Sequence, residues 1–598
     1  MPITGRPRNL IHPVRLLQRT LLLLVIALSL GGCASWAERT WLKAPGWSRG
    51  VLVGETTAFD PVPFVLLETG ETVVLLADKD LDTPALMLVS IGRRGEMLWL
   101  KTYPVEIGVP EEPALLWDGE TFHLFWIGSQ SVFYLPVDRE GEPHEAASIV
   151  SENYQASEFD VELSPEGRIA LWFAGPRHNP GVYAKPAGNL EARSIPIDAK
   201  GMRPQLQYTE DGTLHAFWIQ HPSGYEREAF LYGAFEYGKI PPIDVQTIHE
   251  LDVAIAEVLH GPVFTLDEDY GYLLWSEETR TGLSAGAITS FLLSFDAARP
   301  EGDWSEGFLR VPVEYNLPFD EFPAGKLPAG ERVDLASAQL PTTGRILDYA
   351  IDETIGRESI AVFNVQADFL RRKSAWQIGA LFVEDGASTS YQLLSFTTRE
   401  SSNPLVRLDP EENIYLTWLE RGGGGRSRVY LATTNSEFRS AVNQIRTADV
   451  LQGVAESLFG LASGVVLLPF VLVWILAGIV VIALTWWARK EDQPFLKPGT
   501  LFTLALAIGT YWFAKTFMFP DIFRYVPFSA WIPIIPESWE FALRFGVPLL
   551  ISLIGFYVAM RFTYLVQQRS PIFFMLIFGL VDGVMTLAIY GVIFWGEV

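Results

Sequence analysis

Between residues 55 and 435 apolar and polar positions alternate in short runs, and the runs come in sets. Five sets stand out: EPALLWDGETFHLFWIGSQSVFYLPV (112–137), DVELSPEGRIALWFAGPRHNPGVYAKPA (160–187), RPQLQYTEDGTLHAFWIQHPSGYEREAFLYGAF (203–235), GPVFTLDEDYGYLLWSEETRTGLSAGAITSFLLSF (261–295) and NPLVRLDPEENIYLTWLERGGGGRSRVYLATT (403–434). Each opens with a short alternating strand and passes through an acidic turn such as SPEG or TEDG. A second strand then ends at an aromatic ring, and a variable loop leads to a third strand. Asp, Asn and Gly suit those turns because they accept the backbone angles of tight hairpins. The rings are Trp126, Trp172, Trp218, Trp275 and Trp418, and the first four are spaced by 46, 46 and 57 residues. Repeats of this length, each made of a few short strands, predict the blades of a β-propeller. Weaker copies fit at 61–91, with Leu76 in place of the ring, and at 376–398, with Phe382; one degenerate unit is expected within 304–370. The count is about seven blades, with six or eight as alternatives and a pair of β-sandwiches as the rival fold.

From about residue 458 the alternation stops and apolar runs long enough to cross a bilayer begin. The predicted spans are 458–487, 500–519, 541–560 and 572–595, an all-α four-helix transmembrane domain. Arg489, Lys490 and Lys497 follow the first span, and Arg561 and Arg569 follow the third; the loop between the second and third has a single base, Arg524. The positive-inside rule then places the large domain and the C-terminus Val598 outside.

The first 19 residues carry Arg6, Arg8, Arg15 and Arg19 without an acid, and LLLLVIALSL follows them. Leu30-Gly31-Gly32-Cys33 closes this segment and holds the only cysteine of the chain. The stretch resembles a bacterial lipobox, which implies lipidation at Cys33; a signal anchor or an ordinary cleaved signal are the alternatives. The predicted organisation is therefore a signal or anchor at 1–33, a linker at 34–54, an extracytoplasmic propeller at 55–440, a juxtamembrane linker at 441–457 and a membrane domain at 458–598. Together these place the chain in a bacterial cytoplasmic membrane as a multi-pass protein.

Charge sharpens this division. Residues 451–598 hold eight bases and eight acids, whereas 34–450 holds 33 bases against 62 acids, a net of −29. Such a field disfavours nucleic acid as a partner, since a phosphate backbone needs a cationic footprint.

Motifs for chemistry are sparse. Asp78, Asp80 and Asp82 alternate as at the start of a calcium loop, but the following glycine and distal glutamate are missing, so a solvated turn is the simpler reading. The histidines have no metal-ligand spacing. His123 and His215 recur at one repeat position, which repeat geometry explains better than a metal. No motif calls for a cofactor, and no nucleophile elbow or phosphate loop is present.

The order of Pro, acidic turn, His-apolar-aromatic-Trp, loop and aromatic strand resembles the repeats of sialidase-like and WD40-like bacterial propellers. A sialidase also carries a Phe/Tyr-Arg-Ile-Pro stretch and Ser-x-Asp-x-Gly-x-x-Trp boxes, which this chain lacks, so no catalytic residue carries over. In the membrane part, Asp582 lies mid-span between Gly579 and Gly583, and Lys515 is the nearest base. An ion pair, a contact to another subunit and an ion path are the alternatives for Asp582. The loops after the Trp residues, with Arg177, Arg227 and Arg280, form the expected binding rim.

The functional expectation is a membrane-tethered binding or scaffold module rather than an enzyme. Its partners would be membrane lipid and either a protein or a surface glycan. A glycan hydrolase and a transport or energy-coupling subunit using Asp582 are the alternatives.

Overall fold

The computed structural model describes residues 44–590, except 80–82, 152–153, 222–226, 236–244, 255, 268, 303, 314, 317–326, 329, 337–341, 352–358, 371–372, 396, 398, 445, 448–467, 490–496, 524–538 and 566–569. Its N-terminal part is a seven-bladed β-propeller. Blades 1 to 5 are four-stranded antiparallel sheets in chain order, spanning 64–104, 111–149, 158–198, 201–252 and 257–308. Blade 6 is built from strands between Ile346 and Leu393, with Val333–Asp334 added at its outer edge. Two short ladders, Val311–Pro312 with Thr342–Thr343 and Tyr315–Asn316 with Leu327–Pro328, occupy the connection between blades 5 and 6.

Blade 7 closes the ring with strands from both ends of the domain. Ser401–Leu408, Ile414–Arg421 and Ser427–Thr433 supply three strands, and Val51–Thr56 supplies the outermost one by pairing antiparallel with the last. The closure corrects the expected linker at 34–54. Val53 is buried in that strand, and Ala44 and Trp47 pack into the core shared by blades 6 and 7. A local pattern could not show this pairing, because its partners lie some 375 positions apart.

Each blade's second strand is almost wholly buried, as in TFHLFWIG (121–128), IALWFA (169–174) and YGYLLWSEET (270–279). That strand is covered on both faces by neighbouring blades, so it reads as a continuous apolar run. Trp126, Trp172, Trp218, Trp275 and Trp418 all lie on second strands and are buried. Leu76 holds the matching place in blade 1. Phe382 does not hold it in blade 6: it lies on the third strand, and Phe363 on the second strand takes the ring position.

After blade 7 a short helix, α1 (Ser436–Val442), is capped by Asn435, whose side chain accepts from the backbone N–H groups of Glu437 and Phe438. Four long apolar helices follow: α2 (Leu468–Arg489), α3 (Pro498–Met518), α4 (Glu540–Leu565) and α5 (Pro571–Tyr590). All four are long and apolar enough to cross a membrane. The expected start of the first span, 458–467, lies outside the described residues. Gly579 and Gly583 of α5 let α2 approach closely: a Cβ at either position would collide with Ile475 or Val471. The glycine pair therefore serves packing within this chain.

Candidate functional site

The propeller's centre is built from the first strands of the blades, and five of these carry the same irregularity. The ladder skips between Glu111 and Ala114, Met202 and Gln205, His260 and Val263, Leu347 and Ala350, and Ser402 and Leu405. In every case the first residue inside the skip is left-handed: Glu112, Arg203, Gly261, Asp348 and Asn403 have φ between 47° and 81°. Four of these non-Gly backbones pay a conformational cost that only a fixed bulge sustains. Each bulge faces the ring residue of the second strand: Trp126, Trp218, Trp275, Phe363 and Trp418. The extra backbone makes room for the large side chain. Proline follows the left-handed residue in four of the five, as Pro113, Pro204, Pro262 and Pro404. That recurrent proline was the signal in the sequence; the bulge and its left-handed residue were not legible.

The bulges ring one end of the propeller with polar groups. Asp60 of the chain entering blade 1 accepts from Glu112 N at 3.2 Å. Glu158 of blade 3 accepts from Arg203 N at 3.0 Å, and its other oxygen lies 3.5 Å from Arg203 Nε. Arg203 in turn donates to Leu259 O and Gly261 O of blade 5. Gln205 donates to Pro262 O at 2.7 Å and accepts from Phe264 N at 2.7 Å. Asp348 of blade 6 accepts from Asn364 Nδ2 at 2.7 Å and from the backbone N–H of Asn403 in blade 7. Carboxylate, guanidinium and amide groups here fasten one blade to the next.

Glu112 differs from the others. Burial pushes its carboxyl up to about 8, helped by the nearby charges of Glu158, Asp60 and Glu111 and opposed by Arg203. It is therefore largely protonated at neutral pH. Burial also raises Asp348, against the hydrogen bonds it accepts.

The second strands end at the same face as the bulges, and the expected rim lies there. Arg177 Nη2 is 3.7 Å from Glu228, Arg227 Nε is 3.0 Å from Asp252, and Arg280 Nη2 is 3.4 Å from Glu278. Each rim arginine is thus paired with a carboxylate rather than presented alone. Glu278 also bonds His260 Nε2 at 2.9 Å. His123 and His215 are held by tyrosines, His123 Nδ1 at 2.9 Å from Tyr134 Oη and His215 Nδ1 at 2.6 Å from Tyr232 Oη. Burial lowers both imidazoles, His215 to about 4. They are repeated core contacts.

Three of the ring indoles use their N–H on carboxylates: Trp218 on Asp198 at 3.0 Å, Trp275 on Glu277 at 3.4 Å and Trp418 on Glu420 at 3.3 Å. Among the described residues, Trp126 and Trp172 have no partner for theirs. Of the proposed calcium loop, Asp80 and Asp82 lie outside the described residues, as does Cys33. Asp78 is buried and 3.3 Å from Arg426 Nη2.

The membrane helices hold a second polar group of residues. Asp582 of α5 and Lys515 of α3 are both fully buried, with Nζ 2.6 Å from Oδ2. Tyr511 donates to the same oxygen at 2.6 Å, and Ser552 of α4 donates to Oδ1. Lys515 Nζ also lies 4.7 Å from the Trp512 ring centre. One carboxylate thus accepts from two other helices and balances the buried ammonium of Lys515. Tyr511 and Ser552 were missed in the sequence because hydroxyl residues are ordinary in apolar helices.

No family model matches the sequence, and no curated protein does. Among solved structures, the chain is similar to polysaccharide lyase Uly1, at 11% identity over 64% of this chain and 91% of that one, with a TM-score of 0.41. It is similar to a PL25 ulvan lyase bound to -[GlcA(1-4)Rha3S]-, at 9% identity over 68% and 100%, with a TM-score of 0.41. A Penicillium chrysogenum alpha-L-arabinanase complexed with arabinobiose matches at 9% identity over 46% and 92%, with a TM-score of 0.27. At these identities and scores none assigns an activity to this chain.

Proposed function

We propose that this chain is a non-enzymatic, membrane-tethered binding or scaffold module whose propeller receives a protein or a surface glycan, within a membrane complex. One observation carries the reading. Asp60, Glu158, Arg203 and Asp348 at the propeller's centre bond the backbone of neighbouring blades, which suits a rigid platform better than a reaction site. The balanced Lys515–Asp582 pair supports an anchor held together within one chain rather than an ion path. The net of −29 on 34–450 speaks against nucleic acid. The basic loops at Lys490, Lys497, Arg561 and Arg569 support a propeller outside a bacterial cytoplasmic membrane, with Cys33 as its lipid attachment.

The test is extraction of the full chain from native membranes in mild detergent, with mass spectrometry of what accompanies it. A stoichiometric partner is expected; a chain that always purifies alone would sink the reading. Asp582→Asn separates the transport alternative, which requires that ion flux disappear while assembly persists.

A second reading, a glycan hydrolase, draws on Glu112, a carboxyl held protonated near Glu158 and Asp60, as a general acid must be. Glycan turnover that disappears in Glu112→Gln would favour it.

A further inference from the structure

The seam between blades 4 and 5 carries a surface that the central ring does not use. Trp304, Glu306 and Phe308 project from one face of blade 5's outermost strand, since side chains two apart share a face. Trp304 is 47% exposed and Phe308 67%. Strand pairing extends this face inward: Phe308 lies opposite Phe291, whose ring stacks on Trp275 at 5.1 Å. From blade 4, His249 meets the Trp304 ring edge-on at 5.2 Å and stands 3.8 Å from Glu306.

Two more carboxylates border the same face. Glu277 accepts from the Trp275 indole; burial raises its carboxyl against that bond, and the nearby charges of Glu257 and Glu306 add to the rise. Among the described residues, no lysine or arginine pairs with Glu257, Glu277 or Glu306. Burial lowers His249, so at neutral pH it leaves the charge of Glu306 uncancelled. At the patch's edge the chain's own Arg310 lies over the Phe308 ring, 5.9 Å from its centre. A cation already uses one end of the platform.

We propose that this seam is the docking site for an arginine or lysine side chain of a polypeptide partner. An exposed indole face attracts a cation through its quadrupole, and a guanidinium also stacks on it. Carboxylates without a counter-ion complete the complementarity. An anionic glycan or an anionic lipid headgroup is repelled by the same groups. The inference rests on the binding-module reading and names the chemistry of its partner.

The test uses the full chain in detergent with a four-arginine peptide, and a four-citrulline peptide as the neutral isostere, by calorimetry at physiological salt. The arginine peptide is expected to bind and the citrulline peptide not. Trp304→Ala leaves net charge unchanged and is expected to weaken binding about tenfold. Trp304→Phe retains a ring and loses less. Glu306→Gln weakens binding, whereas Glu210→Gln, on the opposite-end hairpin of blade 4, leaves it unaltered. Binding unaffected by Trp304→Ala, or weakened equally by Glu210→Gln, overturns the site and leaves bulk charge as the cause. A native partner whose recovery survives Trp304→Ala and Glu306→Gln also overturns the site while the binding-module reading stands. Peptide binding that behaves as expected in a chain that purifies alone upholds the seam and counts against that reading.

Discussion

The propeller carries its charges by the dozen and, among the described residues, the membrane helices bury two, yet the two are the more consequential. On the propeller surface Arg227 and Asp252 meet at 3.0 Å in water, where such a pair contributes about 0–1 kcal/mol. Lys515 and Asp582 meet at 2.6 Å with no exposure, and there neither partner tolerates loss of the other. The contrast is one of medium. Water makes a surface ion replaceable, whereas a buried ion inside apolar helices depends on its partner. The propeller obtains its cohesion from repetition instead, with a buried ring at the same register of six blades, Leu76 at that register of blade 1, and backbone clamps between blades.

The largest effect is expected where that dependence is broken. Asp582→Leu leaves Lys515 unpaired and should cost about 3–5 kcal/mol, read as loss of the folded chain in detergent thermal melts. The double change Asp582→Leu with Lys515→Leu should recover most of it; if it does not, the pair contributes more than mutual neutralisation. On the propeller side, Trp218→Ala and Phe363→Ala should each cost about 3–5 kcal/mol. Phe382→Ala occupies the position the repeat pattern suggested, so comparing it with Phe363→Ala by limited proteolysis tests which residue is the blade's ring.

Glu112 supplies a pH test. Its folded carboxyl titrates near 8 against about 4.5 ordinarily, so the folded state binds more protons than the unfolded state between those values. Stability from this group is therefore full below about pH 4.5 and declines as pH rises to about 8. Glu112→Gln should remove that slope and gain roughly 1–2 kcal/mol at pH 8, allowing for its partial exposure; melts at pH 5 and pH 8 measure it. The smallest effect concerns the bulges. Asn403, at φ 48°, changed to Gly should alter stability by less than about 0.5 kcal/mol, because relief of the left-handed backbone offsets the added freedom of the unfolded chain.

Much of this architecture was legible because burial repeats. Trp126, Trp172, Trp218, Trp275 and Trp418 mark one register, the acidic turns mark the hairpins, and the apolar runs mark α2 to α5. Blade 6 was misread in its detail because it has neither the tryptophan nor the proline of the other bulged blades: Asp348 is followed by Tyr349, and Phe363 takes the ring position. The strand Val51–Thr56 was missed because its pairing is with the far end of the domain. Of the candidate site, Lys515 and Asp582 were visible as charges out of place in apolar runs. The central ring was not, since Asp60, Glu158 and Asp348 are ordinary acids among 62 until the fold brings them to the bulged backbone of a neighbouring blade, and Glu112 is one until it is buried beside them.

Blade 7 also decides how the propeller is held. Val51 pairs with Leu431 and Thr56 with Ser427, so the chain enters and leaves the disc at the same end of one ladder. Tension arriving through the two flanking segments meets further fastenings beside that ladder, Trp47 donating to Gln392 of blade 6 and Arg49 N to Asn443 after α1. A ladder loaded at its shared end opens rung by rung rather than shearing as a unit. Mechanically the domain is a plate latched where it is loaded, with blades 6 and 7 sharing the fastening of its two ends.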